Sequence, residues 1–320
     1  MTVIRYDHRT MEKEVVELWN RCLVFDPITV NKFRKQAIFD ENFDNDLCYV
    51  YLGEDKIVGF VLATKRKFPY LERGLEPEKG WINVLFVDKQ YHNNRGIGKQ
   101  LLNTVEEKLI SYGVKSITLA AYSPNYFFAG IDEENYPEAK RFFLDNGYVS
   151  YEKHYSMGMN LHGFNLSDKT MEKKKIAEEK GYKFQPFTYD YSIELLDFLK
   201  DEFGSGWKRN ALIAMQKDKA EDRLFLVLDP QGKICGCANR AIDDNEMRFG
   251  PIGISKKERN NGLGTILLET AIYEMTKKGI YRMFFMTTDE AGKRYYLRAG
   301  LEVIRTFTTY RKELSLVNND

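Results

Sequence analysis

Apolar residues recur every four positions in two stretches of the chain, Ile97, Leu101, Val105 and Leu109, and again Leu263, Leu267, Ala271 and Met275. That spacing lays one stripe along one side of a helix, so both stretches are predicted as helices with a single buried face. Glycines bound them alike. Gly96 and Gly98 open the first and Gly262 and Gly264 the second, while Gly113 and Gly279 follow, where a left-handed residue closes a helix. Short apolar runs of strand type precede each helix at 81–87 and 247–254 and follow it at 116–120 and 282–286. The glycine pairs stand 166 residues apart, and the order strand, turn, helix, strand is the same in both places, so the chain carries an internal repeat.

The repeat extends in both directions. Each half opens with a short strand (3–6 and 183–187), a helix pair and a hairpin, 48–52 with 56–64 in the first half and 224–228 with 233–241 in the second. Downstream, the pattern from Lys140 to Tyr148 recurs from Lys293 to Leu301 at an offset of 153, so the first copy carries 13 extra residues. The excess falls at 122–132, an irregular, aromatic stretch, and such an insertion in a compact domain tends to carry function. Residues 167–180 hold nine charged residues in fourteen, which predicts a solvated connecting helix. The expected division is a first domain over 1–160, a linker over 161–181 and a second domain over 182–320.

Composition narrows the class of protein. Of 320 residues, 43% are hydrophobic and 30% charged, which is the balance of a folded globular chain. Lysine and arginine (48) nearly cancel aspartate and glutamate (47), so no long-range field draws polyanionic nucleic acid or a membrane surface. No apolar run reaches the roughly 18 residues of a membrane helix, and the first residues resemble no signal peptide, so a cytosolic protein is expected. Cys22, Cys48, Cys235 and Cys237 are expected as thiols. Cys235 and Cys237 alternate in a strand and should share one face; with only four histidines in the chain, no metal is expected.

A glycine-bearing turn between a strand and the first turn of a helix presents backbone N–H groups that no intrahelical carbonyl accepts, and this makes an anion site. Neither copy has the G-x-G-x-x-G of a dinucleotide fold or the Gly-Lys-Ser/Thr of a nucleoside-triphosphate loop. A solitary G-x-G is more often a tight turn than a ligand site. Two at matching places in a repeat reverse that reading. In the second copy Arg259, Asn260, Asn261, Gly262, Leu263 and Gly264 read Arg-x-x-Gly-x-Gly, which resembles the acetyl-CoA signature, Arg/Gln-x-x-Gly-x-Gly/Ala, of the GNAT superfamily of N-acetyltransferases. The first copy, Asn93, Asn94, Arg95, Gly96, Ile97 and Gly98, is similar but has asparagine at the Arg/Gln position.

The resemblance implies two tandem GNAT folds of mixed α/β (α+β) class, each a mostly antiparallel twisted sheet flanked by helices. The fourth and fifth strands splay around a bulge, and coenzyme A lies in the V. Pro251 and Gly253 suit such an interrupted strand on physical grounds, since proline cannot donate to a ladder and glycine marks close backbone approach. Acetyl-CoA contacts are then implied at Ile252, Gly253, Ile254, at 259–264, at Thr265 and at Asp289 in the second half. In the first half they are implied at Leu85, Phe86, Val87, at 93–98 and at Lys99.

The family's acid is a tyrosine in the helix after the fifth strand, and Tyr296 falls on that position; as an aromatic on a helix face it is equally a core residue. The first half has Phe143 there, which cannot donate a proton, so its acid would be Tyr126 or Tyr136 unless that half is structural or binds substrate. Glu246, just ahead of the splayed strand, is the candidate general base through water, with a plain solvated glutamate as the alternative. Trp207, Tyr70 and Tyr126 lie where acceptor contacts are implied, or pack. The expected activity is acetyl-CoA-dependent N-acetylation of a small primary amine by direct attack, with the second half catalytic and the chain a monomer. The rivals are transfer from another acyl donor and a coenzyme-binding sensor or scaffold without turnover.

Overall fold

The computed structural model describes residues 2–92 and 96–314. In the first repeat the elements are β1 (Thr2–Arg5), α1 (His8–Cys22), α2 (Val30–Phe33), β2 (Cys48–Leu52), β3 (Ile57–Thr64), β4 (Lys79–Val87), α3 (Ile97–Ser111), β5 (Ser116–Leu119), α4 (Pro137–Asp145) and β6 (Val149–Asn160). After α5 (Asp168–Glu179) the second repeat runs β7 (Lys183–Pro186), α6 (Ser192–Phe203), α7 (Ser205–Met215), β8 (Leu224–Leu228), β9 (Ile234–Arg240), β10 (Phe249–Ile254), α8 (Leu263–Lys277), β11 (Arg282–Phe285), α9 (Glu290–Arg298) and β12 (Glu302–Glu313).

The two compact units are not contiguous halves. The first comprises residues 1–154 and 305–320 and the second 155–304, so the chain crosses over within β6 and returns within β12. Boundaries at about 160 and 182 both fall inside the second unit. Nor does α5 behave as a solvated linker: Ala177 is buried in the second unit's core and α5 lies on α8. Its few small residues, Thr170 and Ala177, let the backbone approach, and the charges occupy the outer faces.

In the first unit β1 to β4 form an antiparallel run, β5 joins β4 in parallel, and the C-terminal part of β12 pairs with β5. The predicted stripe on α3 packs one face of this sheet, with Leu101, Val105 and Leu109 fully buried. The other face holds an aromatic cluster built on Trp19, Phe33, Phe60 and Phe86. Strand β12 is tied in by charge as well as by backbone. Arg305 bonds Asp26 with Nη2 at 2.9 Å and Asp132 with Nε at 2.6 Å, and Tyr310 donates to Glu133 at 2.6 Å.

Burial opposes ionisation of Glu133, but hydrogen bonds from Lys140 and Tyr310 outweigh it and lower its pKa from 4.5 to about 2. A carboxylate held this low stabilises the fold above its ordinary pKa, and that contribution disappears as the pH falls through the interval toward 2. The Glu133→Gln variant should therefore show a shallower fall of melting temperature between about pH 4.5 and pH 2 than the parent. Parallel acid limbs in thermal melts would remove Glu133 from the account.

In the second unit β7 to β10 form an antiparallel sheet in the order β10-β9-β8-β7, and β11 pairs with the end of β6. The stripe on α8 packs one face, with Leu263, Leu267 and Met275 buried, and α6 and α7 cover the other through Leu195, Leu199 and Ala211. Cys235 and Cys237 do not share a face, contrary to their spacing. The β8–β9 register slips at Cys235, since Val227 pairs with Gly236 but Leu228 with Ile234. The bulge sends Cys235 to the α8 side and Cys237 to the α6–α7 side. Both are buried free thiols, and burial raises each pKa to about 12. No helix among the described residues is long and apolar enough to cross a membrane.

Candidate active site

Each unit parts its sheet at the same place. In the first, β4 and β5 pair from Lys79 to Ile82 with Ser116 to Leu119, and then β4 bulges at Asn83, where the β3 partner steps from Ala63 to Leu62 while β4 steps from Ile82 to Val84. In the second, β10 bulges over Gly250 and Pro251 opposite Asn239, and a parallel bridge, Arg248 with Phe284, joins the residue just ahead of β10 to β11. The missing proline N–H at Pro251, which the sequence singles out, and Gly250 at φ +90° make this interruption, whereas Gly253, the glycine expected there, is paired with Cys237 of β9.

Beyond the bulge each strand leads to a glycine turn. Gly96 and Gly262 adopt left-handed φ of +61° and +77° and cap α3 and α8. Among the described residues, the first amides to find a carbonyl are those of Gln100 and Ile266, which bond Gly96 and Gly262, as helix starts leave the N–H groups of 97–99 and 263–265 without an intrahelical acceptor. A Cβ at Gly96 would meet nothing within 4 Å, and one at Gly262 only the Lys173 Cδ at 3.9 Å. The space beside both capping glycines is open.

The second glycine of each turn lies under an aromatic ring of the later helix. A Cβ on Gly98 would stand 3.3 Å from Phe142, and one on Gly264 3.5 Å from the Tyr295 Oη. Tyr295 also hydrogen-bonds Thr265, and burial raises its pKa to about 12. Sequence reading singled out Tyr296 and missed Tyr295; the signal was the coincidence of Phe142 and Tyr295 in the repeat.

The structure gathers Arg259, Asn260, Asn261 and Thr265 at the α8 turn. Arg259, Asn260 and Asn261 are exposed, and Asn261 donates to Glu258. Ile252 and Gly253 lie on the parted strand, whereas the Ile254 and Leu263 side chains are in the core, leaving their backbone to serve the cleft. Asp289 caps α9, accepting from the Gly292 amide at 2.7 Å. In the first unit Leu85 lines the cleft, but the rings of Phe86 and Trp19 pack against each other and the Val87 and Ile97 side chains are buried, so these three offer only main chain. Lys99 is exposed, and Asn93, Asn94 and Arg95 lie outside the described residues.

That first-unit cleft encloses about 590 Å3 including its open mouth, between Ile82, Asn83 and Leu85 of β4, Leu119 of β5 and Phe143 of α4. The inserted stretch closes its other side. Phe127 and Phe128 pack on Trp19 with centroids 5.0 and 6.0 Å away, and the Tyr126 carbonyl accepts from Gln36. Tyr136 donates to Asp26 at 2.8 Å, and burial raises its pKa above the usual phenol value. Tyr70 faces Arg66, whose guanidinium sits 5.0, 4.8 and 5.0 Å from the rings of Tyr70, Trp81 and Tyr122. Arg66 is fully buried and bonds Glu76 and the Ser123 carbonyl.

In the second unit the Tyr296 ring lies 4.6 Å from Phe285 at the end of β11, and burial raises its pKa. Trp207 stacks on Phe203 at 4.2 Å, and the pair sits directly over Gly253, where a Cβ would fall 2.6 Å from Phe203 and 3.1 Å from Trp207. Glu246 is exposed and its carbonyl accepts from Arg240.

Two α/β units, each with a bulged strand parting from its neighbour beside an amide-bearing helix turn, define an acyltransferase fold. The acetyltransferase (GNAT) family model matches residues 12–127 and 192–301, and the chain belongs to that family. No curated protein matches the chain. Among solved structures, the glucosamine N-acetyltransferase region of a fungal multi-domain β-N-acetylglucosaminidase is similar over 97% of this chain, with a TM-score of 0.77 and 17% identity; this chain spans 38% of that longer protein. A GCN5-related N-acetyltransferase from Sphaerobacter thermophilus aligns with 98% of this chain and 95% of its own at a TM-score of 0.68 and 13% identity. A tandem GNAT protein from the clavulanic acid biosynthesis pathway aligns over 99% of both chains at 0.64 and 11%. At such identities the likeness concerns the fold.

Proposed function

We propose that the chain is an acetyl-CoA-dependent N-acetyltransferase for a small primary amine, with the second unit catalytic. The observation that carries this is the α8 turn, where three amides without an intrahelical acceptor, a left-handed Gly262 and open space beside it adjoin a strand parted from its neighbour. Backbone amides at a helix start hold a diphosphate without any side chain, and the glycines let it approach. The residues present fit the coenzyme: the 263–265 amides with Arg259 and Thr265 for the diphosphate, and the free edge of β10 from Ile252 to Ile254 for an extended arm. Bound there, the coenzyme supplies an activated acyl group.

Alternate amides of β10 past the bulge face away from β9 and are available to polarise a carbonyl, each such donor contributing about 3 to 4 kcal/mol in acyl transfer. Tyr296 at the apex supplies a proton to the departing sulfur, and Glu246 takes the amine proton through water. The first unit has Phe143 in place of that phenol and its acceptor side packed by the insertion, which supports assigning turnover to the second. Native mass spectrometry with coenzyme A should count at least one molecule per chain, and free thiol should appear only when acetyl-CoA and an amine are both present. Absence of binding at millimolar coenzyme would overturn the reading.

A further inference from the structure

Arg248 stands directly before β10. The Arg248 carbonyl accepts from the Ala241 amide at 2.7 Å, and a parallel bridge joins Arg248 to Phe284 at the apex where β10 and β11 part. Its neighbour Phe249 packs into the α8-side core, so by strand alternation the Arg248 side chain is on the α6–α7 face. Gly253, under Phe203 and Trp207, is on that same face at the other end of the bulge. Two of its guanidinium nitrogens, Nε and Nη1, are buried and meet no acceptor among the described residues, although the residue as a whole is only half-buried.

The first unit shows what occupies the corresponding place when it is filled. Phe249 opposes Arg240 as Ile82 opposes Ala63, so Arg248 is the counterpart of Trp81. Trp81 packs against Arg66, which pairs with Glu76, bonds the Ser123 carbonyl and lies against Tyr122, groups from the long β3–β4 connection and the 122–132 insertion, with Nη2 alone left without a partner among the described residues. The second repeat has a shorter connection and no insertion. Its face at this point therefore lacks the counterparts of those segments, and it has a cation in the position of the indole.

An ionised guanidinium with two buried donors unpaired is costly without an anion, and a guanidinium is the side chain suited to a carboxylate. From these observations we infer that Arg248 binds the carboxylate of the acceptor, and that the acceptor class is small amino acids. The amine then lies at the bulge, one or two residues along β10, and the carboxylate at the apex. This deepens the reading of the second unit as an N-acetyltransferase and rests on it. It makes Arg248 a specificity residue that leaves the chemical step to others.

The test compares full-length protein on matched pairs: glycine with methylamine, β-alanine with ethylamine, and 4-aminobutyrate with propylamine, followed by thiol release from acetyl-CoA. For at least one pair the acid should be preferred by about 10- to 100-fold in kcat/KM, as expected for one charge-assisted contact. Arg248→Met should collapse that ratio toward one through KM for the acid, and Arg248→Lys should retain part of it. Equal use of acids and bare amines by the parent, or a ratio unmoved in a folded Arg248→Met variant, overturns the inference while the transferase reading stands. If Arg248→Met does not fold, the parent ratio and Arg248→Lys decide. Coenzyme binding without thiol release on any acid also overturns it, and no coenzyme binding overturns the underlying reading as well.

Discussion

Replacing Gly264 with valine should abolish coenzyme A binding at the second turn, weakening it by at least about 100-fold, while the unit stays folded. Gly264 lies within α8 with ordinary helical backbone, so no conformational strain attends a side chain there. A Cβ would meet the Tyr295 Oη at 3.5 Å and the Ile254 Cγ1 at 3.9 Å, both normal contacts. The branched methyl groups extend beyond that shell, into the approach to the amides of 263–265. A bound diphosphate takes several charge-assisted bonds from these amides, and losing two of them accounts for the expected factor. Gly262 is a poorer probe, because its φ of +77° would strain any substituted residue and confound binding with stability. Calorimetry with coenzyme A, beside a thermal melt, separates the two. Undiminished binding at the second turn would mean that the anion sits elsewhere.

The Tyr296→Phe variant should bind coenzyme A as the parent does and lose about 10²- to 10⁴-fold in kcat, the range for general acid catalysis. The change removes one oxygen and leaves the ring against Phe285, so packing is conserved. The pH profile offers a second check. Burial raises the Tyr296 pKa, so its phenol stays protonated well past neutrality and the acid is present across the working range. The alkaline limb of kcat should therefore show no loss assignable to a phenol below about pH 10, its ordinary value. Turnover unchanged in the variant would end the assignment of Tyr296 as the acid and direct attention to Tyr295, which reaches Thr265 at the turn.

Much of this architecture is readable from local pattern. The stripes on α3 and α8, the left-handed glycines and the interruption at Pro251 each follow from the residues that form them, because helix period, φ > 0 and a missing amide are local properties. The turn residues of the candidate site were legible for the same reason. What escaped was set by partners distant in sequence. The strands at 149–160 and 302–313 were not singled out from the sequence, and their crossing between units is set by pairing with residues far away in the chain. Charges dominate α5 and hide the two small positions, Thr170 and Ala177, that dock it. Cys235 changes face through a bulge set by its pairing with β8. Arg66 among three rings, and Arg248 with two unpaired nitrogens, become visible only when the β3–β4 and β9–β10 registers are laid side by side.

The return of residues 305–314 to the first unit bears on the order in which the molecule can be built. During vectorial synthesis the β5 edge and the carboxylates of Asp26 and Asp132 emerge long before Arg305 and β12 exist to cover them. The earlier-made unit therefore waits, with an open edge, until the later one has passed through the ribosome. Completion of the first unit follows synthesis of the second, which is continuous in sequence, and residues 2–154 by themselves are not a self-sufficient module to be cut out or exchanged.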